Sequence, residues 1–443
     1  MLPLARRTRT LSGMTRWLLL VPVLSLGCGS SSSGGAAAAG PDLCTGVPAP
    51  CIAVPAGSPE KTAATAFVSA KAGTTIVFDA GTFAFTNQVD IAQANITVKG
   101  QGAAKTIFDF SGQLAGSEAV SIAMSDGFAM RDLAVRDAKG DAIKIIGSKG
   151  VTFANVNVSW TRDPASSHGP YGIYPVQCQN VLIDGCDVSG ATDSGIYVGQ
   201  SEHIVVRNNH AHDNVAGIEI ENSHFADVHD NVAENNTGGI LVFALPGLQV
   251  PDCSDVRVFS NKILNNNTTS FADPGDIVAQ VPAGTGSFVL SADRVEVFGN
   301  TFDGNATVQM AIISYKVTMN PIPAGYYPYP TNISIHDNTW ANGGTKPDSK
   351  SLLGSLLGTN MSMFVPPHVP DILYDGYLDP AKNIGPNPQN PMNVCIGGLA
   401  GATFADLHAE TLDVVKGFVD LSQDVTPFSC SIPALAAVTL PGM

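Results

Sequence analysis

Tyr174, Tyr197 and Glu219 each follow a Gly-Ile pair, at steps of 23 and 22 residues. Glu221 lies two places further on. Tyrosine rings stack on sugar rings, and a glutamate or lysine beside tyrosine can move a proton at a sugar carbon. The same residue types on a strand are also ordinary surface residues, and no motif fixes a nucleophile or a base. Their value as a group depends on whether the chain brings them together.

The spacing supplies the means. Ile173, Ile196, Ile218 and Ile240 open successive segments behind Gly172, Gly195, Gly217 and Gly239, at intervals of 23, 22 and 22 residues. Inside each segment a second position falls on Leu133, Val156, Cys186, Asn209, Asn231, Asn261, Asn300 and Asn338, flanked by apolar residues three before and two after. Period two within a segment means strand, and about 22 residues per unit suits three short strands separated by turns. Such a unit cannot bury its own apolar side, so it must stack on copies of itself. An all-β, single-stranded parallel β-helix, a solenoid, is therefore expected. Asn is assigned to turns, taking left-handed backbone and bonding amide to amide between coils. A second Asn column follows at Asn214, Asn236, Asn266 and Asn305.

The remaining chain divides by composition. Residues 1–27, with Arg6, Arg7, Arg9 and Arg16 ahead of an apolar run, read as an export signal, and residues 28–43 as a flexible tether. Cys28 resembles the lipid-accepting cysteine of bacterial lipoproteins; cleavage to a free secreted product is the alternative. The apolar run is too short to span a bilayer, so any membrane contact runs through the lipid alone. Residues 44–345 are assigned to the solenoid with its N-terminal cap. In that cap, Ser58 caps a helix whose first turn holds Pro59 and which Gly73 stops. The last repeat ends near Trp340, and 346–443 form a mixed helix and loop cap. Export permits disulfides, and Cys44–Cys51 and Cys395–Cys430 are expected, each fastening a cap. Cys178 and Cys253 share a column three coils apart, beyond disulfide reach, and with Cys186 read as buried small side chains.

Charge narrows the partners. Formal charge is −15, and loss of the four signal arginines leaves about −19. Nucleic acid is excluded as a partner for want of clustered basic residues. A glycan or an envelope protein is expected instead, with localisation in the cell envelope (outer membrane or periplasm). Outward residues of the first strand line up as Lys144, Tyr174, Tyr197, Glu219 and Leu241, beside Ile146, Val176, Gly199, Glu221 and Phe243. Insertions at 243–252, 280–289 and 315–330 on one side, and 159–170 and 267–275 on the other, would wall this face into a groove. Asp163 and His168 join it from one loop, and Tyr315, Lys316, Tyr326, Tyr327 and Tyr329 from others. Asp193, Glu219 and Glu221 are carboxylates of the kind that gather calcium, but without an Asp-rich repeat no metal or other cofactor is assigned.

The run YGIYPVQCQNVLIDGCDVSGATDSGIYVGQS resembles secreted or lipid-anchored parallel β-helix repeat proteins of the pectin-lyase-like superfamily. That resemblance implies a right-handed coil and is silent on reaction. Mannuronan C5-epimerases carry Tyr-Gly-Ile/Phe-Asp-Pro-His on a similar strand. Here Tyr171, Gly172, Ile173 and Pro175 are kept, while Tyr174 stands at the acid's place and Val176 at the histidine's. The proton-transferring pair is missing, which argues against epimerisation of that type. Binding of a carbohydrate or envelope partner is the expected function. A polysaccharide lyase, epimerase or hydrolase, and a structural or adhesive scaffold, are the alternatives.

Overall fold

The computed structural model describes residues 42–441 except 164, 383, 384, 400 and 414. The signal segment, Cys28 and the tether up to residue 41 lie outside the described residues. Strands dominate, and every strand of the coil pairs in parallel with its counterpart one turn away. Among the described residues the coil itself has two sheets, one of them with 11 strands. The other has 20 and bends into two walls, because Lys149–Ser159 runs through both, pairing with Gln179–Asp184 and with Asp187–Ser189.

Register follows the sequence repeat. Ile143, Ile173, Ile196, Ile218 and Ile240 stand directly above one another in the 11-stranded sheet. All are fully buried inside the coil. Each such side chain contributes about 1.5–3 kcal/mol by leaving water, but only because the neighbouring turn supplies its wall. The preceding glycines are needed for a different reason. A Cβ on Gly195 would sit 2.7 Å from Asn214 Nδ2, and one on Gly239 would sit 2.8 Å from Asn266 Nδ2.

Both asparagine columns are continuous hydrogen-bonded ladders. Asn231 Nδ2 and backbone N–H both donate to Asn261 Oδ1, at 2.9 and 3.0 Å, and Asn261 repeats the contact on Asn300. The columns point inward and are buried. This corrects the expectation that these residues take the left-handed turn. That conformation belongs to the residue before each: Asn208, Asp230 and Ser260, with φ of 56°, 55° and 55°. The turn aims the next side chain into the coil, where an amide both donates and accepts along the stack.

The helix Glu60–Ser69 covers the N-terminal end, and Phe67 packs against Phe78 and Phe108. Its N-cap is Pro59, not Ser58, and it ends at Ser69, four residues before Gly73. At the other end the winding continues past Trp340. Ile372–Tyr374 and Phe404–Asp406 extend one sheet, and Val394–Ile396 extends the other. Long connections between these strands hide the period in the sequence. Helix Leu352–Thr359 and several short 3-10 turns complete this end. Disulfides join Cys44 to Cys51 and Cys395 to Cys430, while Cys178, Cys186 and Cys253 are free and buried.

One insertion lies elsewhere than expected. Residues 280–289 are not a loop after a strand, since Thr285–Leu290 is itself a strand of the 11-stranded sheet. The inserted segment is 265–284, which precedes it. Gly286-Ser287 replaces the usual Gly-Ile there, and Ser287 Oγ satisfies itself by donating to Ile240 O at 2.6 Å.

Candidate functional site

Residues on the outer side of the 11-stranded sheet form the rows that the repeat implies. Lys144 stands beside Tyr174, Tyr197 beside Glu219, Glu219 beside Leu241, and Gly199 beside Glu221. The face they make is largely closed. Tyr197, Glu219 and Glu221 are only 5, 1 and 7 % exposed. Leu241, Phe243, Phe288 and Leu290 continue the outer rows as apolar side chains, so the inserted loops settle onto them instead of standing as walls. Val278 and Val281 from the 265–284 insertion pack into this layer.

Three tyrosines meet at the N-terminal part of the face. Tyr171 and Tyr174 have ring centroids 4.4 Å apart, and each lies 4.9 Å from Tyr197. Gly199 makes room for this, since a Cβ there would lie 2.3 Å from the Tyr197 ring. Beneath them sits a carboxyl cluster. Tyr171 Oη donates to Asp193 at 2.8 Å, and Tyr197 Oη to Glu221 at 2.9 Å. Ser194 Oγ reaches Glu219 at 2.5 Å and Asp193 at 3.2 Å. At the open edge Lys144 bridges Glu118 at 3.4 Å and Asp141 at 3.6 Å, and its ammonium lies 4.9 Å from the centre of the Tyr174 ring.

Burial sets the protonation of this cluster. It raises the Asp141 carboxyl to about 6, against the opposing pull of Lys144. Desolvation, then the nearby charges of Asp276 and Glu221, raises Asp193. Glu219 is raised well above the ordinary range by burial and by Asp193 and Glu221, and Glu221 is raised by burial. Charges of one sign crowded out of water cannot all ionise, so this set holds protons near neutrality. Tyr174 differs from its companions. Among the described residues its hydroxyl has no protein hydrogen-bond partner, and its side chain is half-buried at the rim.

The other expected residues lie apart from this cluster. Asp163 is exposed in its loop. His168 is turned away to prop the backbone: Nδ1 is 2.7 Å from Gly190 O, Nε2 faces Arg162 O, and the ring stacks on Trp160. Tyr315 is buried against Tyr326. Lys316 lies over the rings of Tyr329 and Tyr377 at the rim of a separate cavity of about 770 Å³. That cavity lies between the outer rows and the C-terminal segments, with walls such as Phe243, Leu353, Leu356 and Phe418. Asp375 also lines it, raised to about 7 by complete burial. Its walls suit an apolar ligand, not a hydroxyl-rich one.

Sequence reasoning missed Glu118, Asp141 and Ser194, and used Tyr171 only as part of a motif. A signal was present: two residues before each inward isoleucine a further outer row runs, with Glu118 beside Asp141 and Tyr171 beside Ser194.

A family model for a right handed beta helix region matches residues 94–245. No curated protein matches the sequence. Solved structures that the fold is similar to include the A-module of a mannuronan C-5 epimerase from Azotobacter vinelandii, 18% identical, covering 72% of this chain and 87% of that one, with a TM-score of 0.46. An alginate lyase from Paenibacillus is 14% identical over 66% of this chain and 97% of that one, with a TM-score of 0.43. An α-1,3-glucanase catalytic unit from Streptomyces thermodiastaticus is 15% identical over 74% and 51%, with a TM-score of 0.44. At these identities the likeness concerns the fold alone.

Proposed function

We propose that this right-handed parallel β-helix binds an uncharged glycan at the rim formed by Tyr171, Tyr174 and Lys144. The observation that carries the reading is the Tyr174 hydroxyl. Tyr171 and Tyr197 spend theirs on Asp193 and Glu221, whereas Tyr174 keeps its own for a ligand. Asp141 and Glu118 beside it accept hydrogen bonds from sugar hydroxyls, and Lys144 donates. The surrounding carboxyls and the chain's negative balance disfavour uronate polymers.

Titration calorimetry with neutral and uronate oligosaccharides tests this. Saturable binding of a neutral glycan, weakened about tenfold in Tyr174→Phe, is expected, since one hydrogen bond is worth about 1–1.5 kcal/mol. Affinity unchanged in Tyr174→Phe, or binding confined to uronates, would overturn it.

A second reading is a polysaccharide-modifying enzyme, favoured by the Asp141 carboxyl, which near pH 6 is poised to give or take a proton. Turnover of the bound glycan, abolished in Asp141→Asn, would establish it; binding without product keeps the first reading. Export of the chain, directed by residues 1–27, is proposed as well. A lipid on Cys28 would hold the chain at the envelope surface, and the two disulfides fit an oxidising compartment. Among the described residues no helix is long and apolar enough to cross a membrane. Incorporation of an alkyne-bearing fatty acid in cells, lost in Cys28→Ala, checks the anchor.

A further inference from the structure

Away from the tyrosine cluster, on the 20-stranded sheet, Asp187, His210 and His212 place one ligand atom each within 4.8 Å of one another. They come from adjacent coils. Asp187–Ser189 pairs with His210–His212, which pairs with Val232–Glu234, and the period of two puts His210, His212 and Glu234 on one face. The geometry points to a binding site for a divalent first-row transition ion, zinc being the natural occupant, with Asp187, His210 and His212 as its protein ligands.

Three observations support this beyond residue type. First, the separations fit. Ligands held about 2.1 Å from a tetrahedral zinc lie about 3.4 Å apart. Here His210 Nδ1 is 3.2 Å from Asp187 Oδ2, and His212 Nε2 is 3.5 Å from Asp187 Oδ1.

Second, each histidine is oriented through its other nitrogen by a further carboxylate. His210 Nε2 lies 3.0 Å from Glu234 Oε1, and His212 Nδ1 lies 2.6 Å from Asp213 Oδ2. A carboxylate behind a ligating imidazole fixes its orientation and raises its basicity, as metal sites commonly arrange. Asn157 Nδ2 steadies Asp187 in the same way at 2.8 Å.

Third, the imidazole rings stack at 4.3 Å, so the two donor nitrogens are held side by side by the strand. Two nitrogens and one carboxylate oxygen match zinc or a neighbouring ion and not calcium, which takes six to eight oxygens. Three protein ligands leave a fourth position for water, and all three side chains are half-exposed, so an ion can enter from solvent. Bound there, the ion would tie adjacent coils together across a stack whose third strands are only three residues long.

Equilibrium dialysis of tag-free, chelator-stripped protein against zinc chloride, with the visible spectrum of added cobalt as a reporter of four-coordination, tests the site. One ion per chain is expected, with affinity falling at least tenfold in His210→Ala, His212→Ala and Asp187→Asn. Glu234→Gln, which leaves all three ligands, should weaken binding by about tenfold. His229→Ala should bind as the parent does. Circular dichroism confirms that each variant is folded. Absence of a stoichiometric site, or undiminished binding in folded His210→Ala/His212→Ala protein, would overturn the assignment.

Discussion

The two asparagine ladders and the tyrosine–carboxyl cluster both take polar side chains out of water, yet by opposite means. In the ladders each amide accepts from one neighbouring coil and donates to carbonyls and to the other, as Asn261 does with Asn231, Val228 and Asn300. Nothing there titrates. In the cluster, Asp193, Glu219 and Glu221 face hydroxyls and each other, with Lys144 only at the edge. Matched amides stiffen a fold, whereas crowded acids leave protons to exchange and a stability that depends on pH.

Asn261→Ala should separate the regions most sharply. It strands the two Asn231 N–H donors and the Val228 carbonyl in the interior, at about 1–3 kcal/mol for each group left unmatched, while the Asn300 oxygen keeps the Asn261 backbone N–H. A loss on the order of 3–5 kcal/mol is expected in urea unfolding, equal at pH 5 and pH 8. A loss that varies with pH would blur the distinction.

Glu219→Gln should do the reverse. The folded state holds the Glu219 proton more tightly than the unfolded state does, so its stabilising form is complete below the unfolded value near 4.5. That contribution is lost as pH rises through the raised folded value. The amide carries no charge and can still accept from Ser194. The variant should therefore be more stable than the parent at pH 8, by about 1 kcal/mol or more, and nearly equal to it at pH 4. Asp141→Asn should show the same sign over the narrower window between 3.8 and about 6. Equal melting shifts at both pH values would mean that the cluster is matched like the ladders.

The smallest effect belongs to the turns beside the ladders. Asn235 is exposed with φ of 56°. Asn235→Gly should change stability by no more than about 0.5 kcal/mol, while Asn235→Val should cost about 1–2 kcal/mol, because a branched side chain resists left-handed backbone. Equal effects would show that the inward amide, not the turn before it, sets the backbone there.

Much of this was legible because a solenoid turns sequence distance into height. Interval and phase placed Ile173, Ile196, Ile218 and Ile240 in one file and put Tyr174, Tyr197 and Glu219 on the outer side. The same logic could have found His210 and His212, two apart on a strand and one coil from Asp187. Where Gly-Ile gave way to Gly286-Ser287, and where long connections followed Trp340, the period faded and strands were hidden.

The sequence by itself thus determined the coil, its register and the direction of most side chains, since these follow from alternation along a strand and a constant length per turn. Only the tertiary structure decided what covers the outer rows. Loops fold where apolar area needs burying, and Leu241, Phe243 and Phe288 drew Val278 and Val281 down among them. Exposure, protonation and the division of one expected groove into a polar rim and an apolar cavity all depend on that packing between segments far apart in the chain, which no local pattern encodes.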